Sequence, residues 1–206
     1  MIKEKNTDIY VLAHEIKNPL SVIKGYMEML NENNLERYKK IIMEELNNSL
    51  DILDNYLEYN KLSVLKEIMD INLLFQDIKD NYTDYYQSKG INLEVQVVDN
   101  ETYVIGNYEK LKQVFCNLIK NSMESHAKNI KLIYEVLNGK VIIEIIDDGL
   151  GCSYINQIGD NYTSKILGNG IGTTLSRKII DLLDGEISFI NNQQQGLTVK
   201  IILPMD

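Results

Sequence analysis

A chain of 206 residues with 44% apolar residues can bury one sizeable core or two small ones, and we expect two domains. Its net charge of -9 excludes nucleic acid and anionic membrane surfaces as main partners, because both would repel it. No apolar run approaches the roughly 18 residues that a membrane span requires, so we expect a cytoplasmic protein with no membrane span. Cys116 and Cys152 lack the spacing of a metal site and are expected to be free thiols.

The first predicted element is a helix with a coiled-coil pattern. Between Ile9 and Leu30 the apolar residues recur in alternating steps of four and three. With Ala13 at heptad position a, His14 falls at position b and is expected to face solvent. Pro19 is expected to bend the helix just beyond His14.

A second helix is predicted over residues 35–66, after a turn at residues 31–34. Its apolar face is wider than one partner helix can cover. Two chains that pair as a four-helix bundle would cover it, so we expect a homodimer with the histidines on the outside. The face comprises Ile41, Ile42, Leu46, Leu50, Leu53 and Leu57.

The pattern changes at about Ile68 to short mixed segments, which predicts domains over residues 1–68 and 69–206. The strongest turn signal in the second domain is Asn138-Gly139, between two apolar runs. The fold class is therefore α+β: an N-terminal helical hairpin, then an α/β sandwich. Its predicted helices cover residues 72–86, 110–125 and 173–183, and its predicted strands cover residues 92–98, 103–105, 130–137, 141–146, 186–190 and 197–203.

Four short segments carry candidate chemistry, and the first surrounds His14. Asn18 lies one helical turn from His14 on the same face, so its amide can reach the imidazole. An imidazole is a competent nucleophile at neutral pH, and the neighbouring Glu15 can hold its other ring nitrogen. An isolated histidine at such a position is usually an ordinary surface residue.

The second segment is a helical pair of asparagines, Asn117 and Asn121, which share one face. Neutral amide oxygens suit Mg²⁺ when phosphates supply most of the negative charge. Lys120 is close enough in sequence to contact a phosphate. An isolated pair of asparagines is more often structural.

The third and fourth segments are rich in glycine. Asp147, Gly149 and Gly151 follow an apolar strand, where a carboxylate can accept a hydrogen bond from an exocyclic amine while the backbone passes close to a planar base. Residues 168–173 place three glycines before a helix, and such a turn exposes backbone amides to an anion. As bare patterns, both are weak signals.

Taken together, the four segments resemble the core of the sensor histidine kinases, especially those of the sporulation-kinase type. The string from His14 to Ser21 is similar to the phosphoacceptor box, and the string from Gln113 to Ser122 to the asparagine box. The segments at Asp147 and at Gly168 resemble the two glycine boxes, and Tyr162-Thr163-Ser164-Lys165 resembles part of the lid between them. One departure is Asn107, where the family usually has an aspartate.

The resemblance implies an ATP-dependent kinase that phosphorylates His14 and passes the phosphoryl group to an aspartate of a response-regulator receiver domain. It implies that Asn121 ligates Mg²⁺, that Asp147 recognises adenine and that the second glycine box holds the triphosphate. Asn18 is the candidate for orienting a water in the reverse, phosphatase direction. The implied ATP-binding set is Asn117, Lys120, Asn121, Asp147, Gly149, Gly151, Thr163, Lys165, Gly168, Gly170, Ile171, Gly172 and Thr173.

Two alternatives stay open. One is a phosphotransfer or scaffold protein whose ATP-binding-like domain is not catalytic, and the other is a serine-directed kinase or ATPase of the same fold. Because thirteen residues precede His14, we expect regulation to act on the bundle itself or through a separate sensor or regulatory protein.

Overall fold

A computed structural model describes residues 2–98, 100–152 and 170–205, together with all side chains in these ranges except those of 2–11 and 170–171. It divides into two compact units: among the described residues, 2–62 and 170–172 belong to the first, and 63–98, 100–152 and 173–205 belong to the second. None of the helices in the described ranges combines the length and apolar character needed to cross a bilayer.

The first unit contains a helical hairpin of α1 (Ile2–Glu28) and α2 (Leu35–Lys61). Asparagines form the turn: Asn34 accepts a hydrogen bond from the Asn31 backbone at 2.8 Å and donates to the Met29 carbonyl at 2.9 Å. α1 continues through Pro19. α2 ends five residues before the predicted position, since the chain turns extended at Leu62 and continues towards the second unit.

One face of this hairpin is left uncovered. The heptad d residues Ile16, Ile23 and Leu30 are half-buried, whereas the a residues Leu20 and Met27 are 47% and 56% exposed. On α2 the exposed leucines are Leu35, Leu46, Leu50, Leu53 and Leu57. A single hairpin therefore buries only part of the apolar pattern.

The second unit is an α/β sandwich, which confirms the predicted fold class. Its main sheet is mixed and has five strands in the order β2-β4-β5-β7-β6, with only β2 and β4 parallel, and β1 and β3 form a separate antiparallel pair. The strands are β1 (Glu67–Asp70), β2 (Asn92–Val95), β3 (Tyr103–Gly106), β4 (Asn129–Leu137), β5 (Lys140–Asp147), β6 (Glu186–Asn191) and β7 (Leu197–Pro204). The helices are α3 (Ile71–Ser88), α4 (Tyr108–Glu124) and, from Thr173 onward, α5 (Gly170–Leu182).

The core of this unit lies between the helices and one face of the sheet. Phe75 of α3 makes edge-on contacts with Phe115 of α4 and with Tyr134 of β4, at ring-centroid distances of 5.8 and 5.3 Å. The Tyr134 hydroxyl is buried and is hydrogen-bonded to Asn72 and Thr102. These contacts fix the helices that carry the candidate site against the sheet.

Residues that favour a left-handed backbone explain why the turn between β4 and β5 and the end of α5 could be predicted from the sequence. Asn138 and Gly139 have positive φ values of 53° and 71°, as the two-residue turn between β4 and β5 requires. Asp184 ends α5 in a left-handed conformation with φ 57°.

In the second unit, three differences from the prediction exceed two residues. β1 was not predicted, because its existence depends on pairing with β3, more than thirty residues away. β2 ends at Val95 rather than residue 98, where its pairing with β4 ends. α5 begins at Gly170, three residues before the predicted start.

α4 begins at a cap that also holds the segment entering the unit. The Asn107 side-chain oxygen accepts a hydrogen bond from the Lys110 backbone at 3.1 Å, and its side-chain nitrogen donates to the Leu65 carbonyl at 2.9 Å. An aspartate could make the first bond but has no donor for the second. The unusual asparagine thus serves both the helix and the connecting segment.

Candidate functional site

Asp147, the last residue of β5, carries a buried carboxylate that is hydrogen-bonded to three other segments of the second unit. Asp147 is 5% exposed. Its Oδ2 accepts a hydrogen bond of 2.7 Å from the Ser122 hydroxyl of α4. Its Oδ1 accepts bonds from the backbone nitrogens of Gly149 at 2.9 Å and Leu197 at 3.1 Å.

These bonds determine what Asp147 has left to offer a ligand. Oδ1 has two donors, which occupy its usual capacity, whereas Oδ2 has one donor and can accept another. The carboxylate can only accept while it is ionised, so its complement is an N–H or O–H donor. An exocyclic amine such as that of adenine meets this requirement.

The two asparagines of α4 are held by hydroxyl groups of α5. Asn117 donates its side-chain N–H to Ser176 at 2.9 Å, and Asn121 donates to Thr173 at 3.3 Å. Each amide nitrogen is held by one of these bonds, which leaves the amide oxygen and the second N–H available to a ligand. A half-buried neutral oxygen of this kind fits the chemistry of a Mg²⁺ ligand that works together with phosphate oxygens.

The loop after Asp147 packs directly on the turn that follows α4. A Cβ atom at Gly149 would lie 2.7 Å from the Ser125 carbonyl oxygen, so no larger residue fits without movement. Asp148 accepts hydrogen bonds from the backbone nitrogens of Lys128 at 2.7 Å and Asn129 at 2.9 Å. These bonds, with the Asn129 backbone contributing most, lower the pKa of Asp148.

The turn between β6 and β7 lies against the other side of Asp147. Gly196 has φ +98°, and a Cβ atom there would lie 1.8 Å from the Asp147 carbonyl oxygen. Only glycine allows the two backbones to approach this closely. The close approach is what brings the Leu197 nitrogen to the Asp147 carboxylate.

The candidate phosphoacceptor lies on α1 in the first unit. His14 is exposed, as the heptad predicted, and so is Asn18, one turn further on. Glu15 is half-buried, and burial raises its pKa, while the charge of His14 acts in the opposite direction. A raised pKa makes Glu15 a better proton acceptor than an ordinary surface glutamate.

Two family models match the two parts of the chain. Residues 5–64 match the His Kinase A (phospho-acceptor) domain, and residues 106–206 match the histidine kinase-, DNA gyrase B- and HSP90-like ATPase. The chain has a histidine kinase core. The order of the two matched domains is the order that the resemblance implies.

The relatives of this kinase core include sporulation kinases. It is 35% identical to sporulation kinase B of Bacillus subtilis over 95% of the chain and 48% of that protein. It is 30% identical to sensor protein DegM of a Bacillus species, over 95% of the chain and 53% of that protein. The chain thus spans about half the length of these relatives.

Solved structures show the same fold. Histidine kinase ThkA, in complex with response regulator protein TrrA, matches 94% of the chain and 60% of its own with a TM-score of 0.76 and 24% identity. Histidine kinase AdeS of Acinetobacter baumannii matches 94% of the chain and 98% of its own with a TM-score of 0.67 and 20% identity.

Within the kinase core, the structure brings part of the expected ATP-binding set together. Direct hydrogen bonds link Asn121 to Thr173 and Asp147 to Gly149, and Asn117 bonds to α5 one turn beyond Thr173. Lys120 is half-buried on α4, between the two asparagines in sequence.

The glycine-rich segment of the set is described only in part. Gly170, Ile171 and Gly172 lie in the first turn of α5 rather than in the preceding loop. Thr163, Lys165 and Gly168 fall outside the described residues. The predicted lid segment at residues 162–165 also falls outside them.

Several residues with positions in the site were not singled out from the sequence. Ser122 and Ser176 are 4% and 2% exposed and bond to Asp147 and Asn117. Asp148 fixes the start of the loop from Asp147 to Cys152 through its bonds from the Lys128 and Asn129 backbone nitrogens. The sequence could have indicated Ser122, because it directly follows Asn121 on the buried side of an amphipathic helix. No sequence pattern indicated Ser176, whose role depends on the contact of α5 with α4.

Proposed function

We propose that this chain is an ATP-dependent protein-histidine kinase that phosphorylates His14 and then passes the phosphoryl group to an aspartate of a response-regulator receiver domain. The observation that carries the proposal is the direct hydrogen bonding among α4, Asp147 and the first turns of α5. Three sequence-distant segments, each similar to a nucleotide-binding box, are linked through α4, which bonds to Asp147 through Ser122 and to α5 through Asn117 and Asn121.

In this function the site residues have distinct tasks. Asp147 accepts the exocyclic amine of adenine at Oδ2, and Ser122 orients that oxygen. The glycine loop brings backbone close to the base, and the amides at the start of α5 face the triphosphate. Phosphate contacts are assigned to Lys120, Thr163, Lys165, Gly168, Gly170, Ile171, Gly172 and Thr173.

We assign Mg²⁺ to the amide oxygen of Asn121, with Asn117 beside it. When bound, the ion would neutralise developing charge on the phosphates. Thr173 and Ser176 hold the two amides through their nitrogens. The His14 imidazole is the nucleophile, Glu15 takes up its proton, and Asn18 orients a water for the reverse, phosphatase direction.

We also propose that two copies of the chain form the working unit. The exposed a residues of α1 and the exposed leucines of α2 form an apolar surface that one hairpin does not cover. Pairing of two hairpins would bury this surface in a four-helix bundle. The receiver-domain partner is supported by ThkA, whose structure is a complex with a response regulator.

Incubation with γ-labelled ATP and Mg²⁺ tests the kinase activity. Wild type should incorporate label that survives alkali and is lost in acid, as a phosphorus–nitrogen bond requires, and His14→Gln should incorporate none. The matched control is His126→Asn, since His126 is the other histidine of the chain and Asn tolerates its left-handed backbone. Label in His14→Gln, or none in wild type, overturns the proposal.

A second measurement separates the kinase from the scaffold alternative. The kinase should bind ATP with an affinity that falls when Mg²⁺ is chelated and falls again in Asp147→Asn. A scaffold with a non-catalytic domain should show no Mg²⁺-dependent affinity.

A further inference from the structure

The turn between β6 and β7 (residues 192–196) and Asn191, the last residue of β6, contact the loop from Asp147 to Cys152 at its two ends. Asn192 donates its side-chain N–H to the Asp147 carbonyl at 2.9 Å. At the other end, Asn191 accepts a bond from the Cys152 nitrogen at 2.8 Å and donates to the Cys152 carbonyl at 2.6 Å. The loop from Asp147 to Cys152 is thus held at its first and last described residues by two adjacent asparagines.

The Asn192 side chain is itself fixed. Its oxygen accepts a hydrogen bond of 2.7 Å from the Thr198 hydroxyl, and its backbone nitrogen donates to the Gly196 carbonyl at 3.0 Å. With the oxygen occupied by Thr198, the amide nitrogen is directed to Asp147. Asn192 is half-buried, so water competes only partly for this bond.

The position of the Asp147 carboxylate depends on the same turn. Its Oδ1 accepts from Leu197, the residue after the turn, and Gly196 touches the Asp147 carbonyl. Backbone and side chain of Asp147 are therefore both anchored to the turn. A shift of the turn would rotate Oδ2, the oxygen that is left for the base.

We propose that Asn192 is a positioning residue for base recognition: by holding the Asp147 backbone it sets the direction of Oδ2 and hence the preference for an amino-substituted purine. This inference rests on the proposed function, in which Asp147 accepts the exocyclic amine of adenine. It assigns a role to a polar turn that lies outside the four segments with candidate chemistry.

The preference is measured by the binding of ATP and ITP to the full chain in the presence of Mg²⁺. ITP carries a carbonyl oxygen in place of the amine, so it presents an acceptor to a carboxylate that can only accept. Wild type should bind ATP at least about tenfold more tightly, because a site built for an N–H donor rejects an analogue that lacks it.

Asn192→Asp is the decisive variant. It keeps the acceptor for Thr198 but removes the donor and places a carboxylate oxygen against the Asp147 carbonyl. ATP affinity should fall by about tenfold, as for the loss of one well-made hydrogen bond, while ITP affinity stays nearly constant. The ratio of the two affinities should therefore approach one. If Asn192 had a purely structural role, the variant would lose affinity for ATP and ITP equally.

Two further variants complete the test. Gln194→Glu adds the same charge to an exposed side chain of the same turn and should leave the ratio unchanged. Thr198→Val removes only the hydroxyl that directs Asn192, and it should also lower the ratio of ATP affinity to ITP affinity. It therefore provides the test if Asn192→Asp does not fold.

The possible outcomes distinguish the two claims. Equal binding of ATP and ITP by wild type would overturn the adenine role of Asp147, and this inference with it. A wild-type preference that persists in both Asn192→Asp and Thr198→Val would overturn the inference alone. Loss of the preference in Gln194→Glu as well would also overturn it, since charge rather than the amide contact would then be responsible.

Discussion

The closest backbone contact of the site leads to a prediction about Gly196. Replacing it by alanine adds a Cβ atom 1.8 Å from the Asp147 carbonyl oxygen and 2.6 Å from the carbonyl carbon. Real Cβ atoms do not come within 3.0 Å of such neighbours, so the turn and the end of β5 must separate. The neighbouring atoms are backbone and cannot rotate away.

The cost has two parts of comparable size. Alanine at a φ of +98° is strained by about 1–2 kcal/mol. Separation of the strands then stretches the 3.1 Å bond from Leu197 to the Asp147 carboxylate, and a bond to a charged group contributes about 1.5–3 kcal/mol. We expect Gly196→Ala to lose about 3–4 kcal/mol of unfolding free energy, with ATP affinity reduced as well.

Gly90→Ala and Gly139→Ala are matched controls for the backbone term. These glycines also have positive φ values, +76° and +71°, but a Cβ atom at either would have no neighbour within 4 Å. Each control should therefore lose only the strain of about 1–2 kcal/mol and keep wild-type ATP affinity.

Differential scanning calorimetry of the full chain measures the difference, because it can resolve transitions of the two units. A difference of about 2 kcal/mol corresponds to roughly 4–8 °C in Tm for a domain of this size. If Gly196→Ala and the controls shift the Tm of the second unit by the same amount, the steric argument is refuted.

Three other predictions follow from the site and the hairpin. Ser122→Ala should lower ATP affinity by about tenfold, because it removes the 2.7 Å bond to Asp147; unchanged affinity in an isothermal titration would contradict the assigned role. Asp148→Asn should destabilise the chain at pH 7 but not at a pH below the lowered pKa that Asp148 has in the folded state. The stabilisation from a lowered pKa is complete above the ordinary value near 3.9 and is lost as the pH falls through the folded-state pKa. Thermal melts at the two pH values test this, and an equal deficit at both would refute it. Leu50→Glu should convert the dimer to monomer in sedimentation equilibrium, whereas Lys39→Glu, another exposed residue of α2, should not; a wild-type monomer would contradict the dimer proposal.

Local patterns predicted the parts of this fold that local interactions determine. α4 was recognised from apolar residues at steps of three and four, and the structure buries that face: Leu111, Val114, Phe115, Leu118 and Ile119. The turn at Asn138-Gly139 was recognised because few residues adopt its backbone. The end of α2 was missed, since the connecting segment is held by a bond from Asn107, 42 residues away from Leu65.

The residues of the site likewise fall into those that a local sequence pattern indicated and those that only the folded structure brings together. Asn121 and Asp147 stand within strings that are recognisable by themselves. Ser176, Asn192 and Leu197 act through contacts that span 45 to 59 residues, so no local pattern could indicate them. The pairing of Ile146 with Thr198 explains why the turn lies beside Asp147, and this register is a property of the folded sheet.

The asparagine at the start of α4 has a mechanical consequence. Asn107 caps α4 with its oxygen and holds Leu65 with its nitrogen, so the two bonds share one side chain but no atom. A pull on the connecting segment can break the bond to Leu65 while the bond to Lys110 remains. The chain leaving the hairpin can thus detach under load without fraying the helix that carries Asn117 and Asn121.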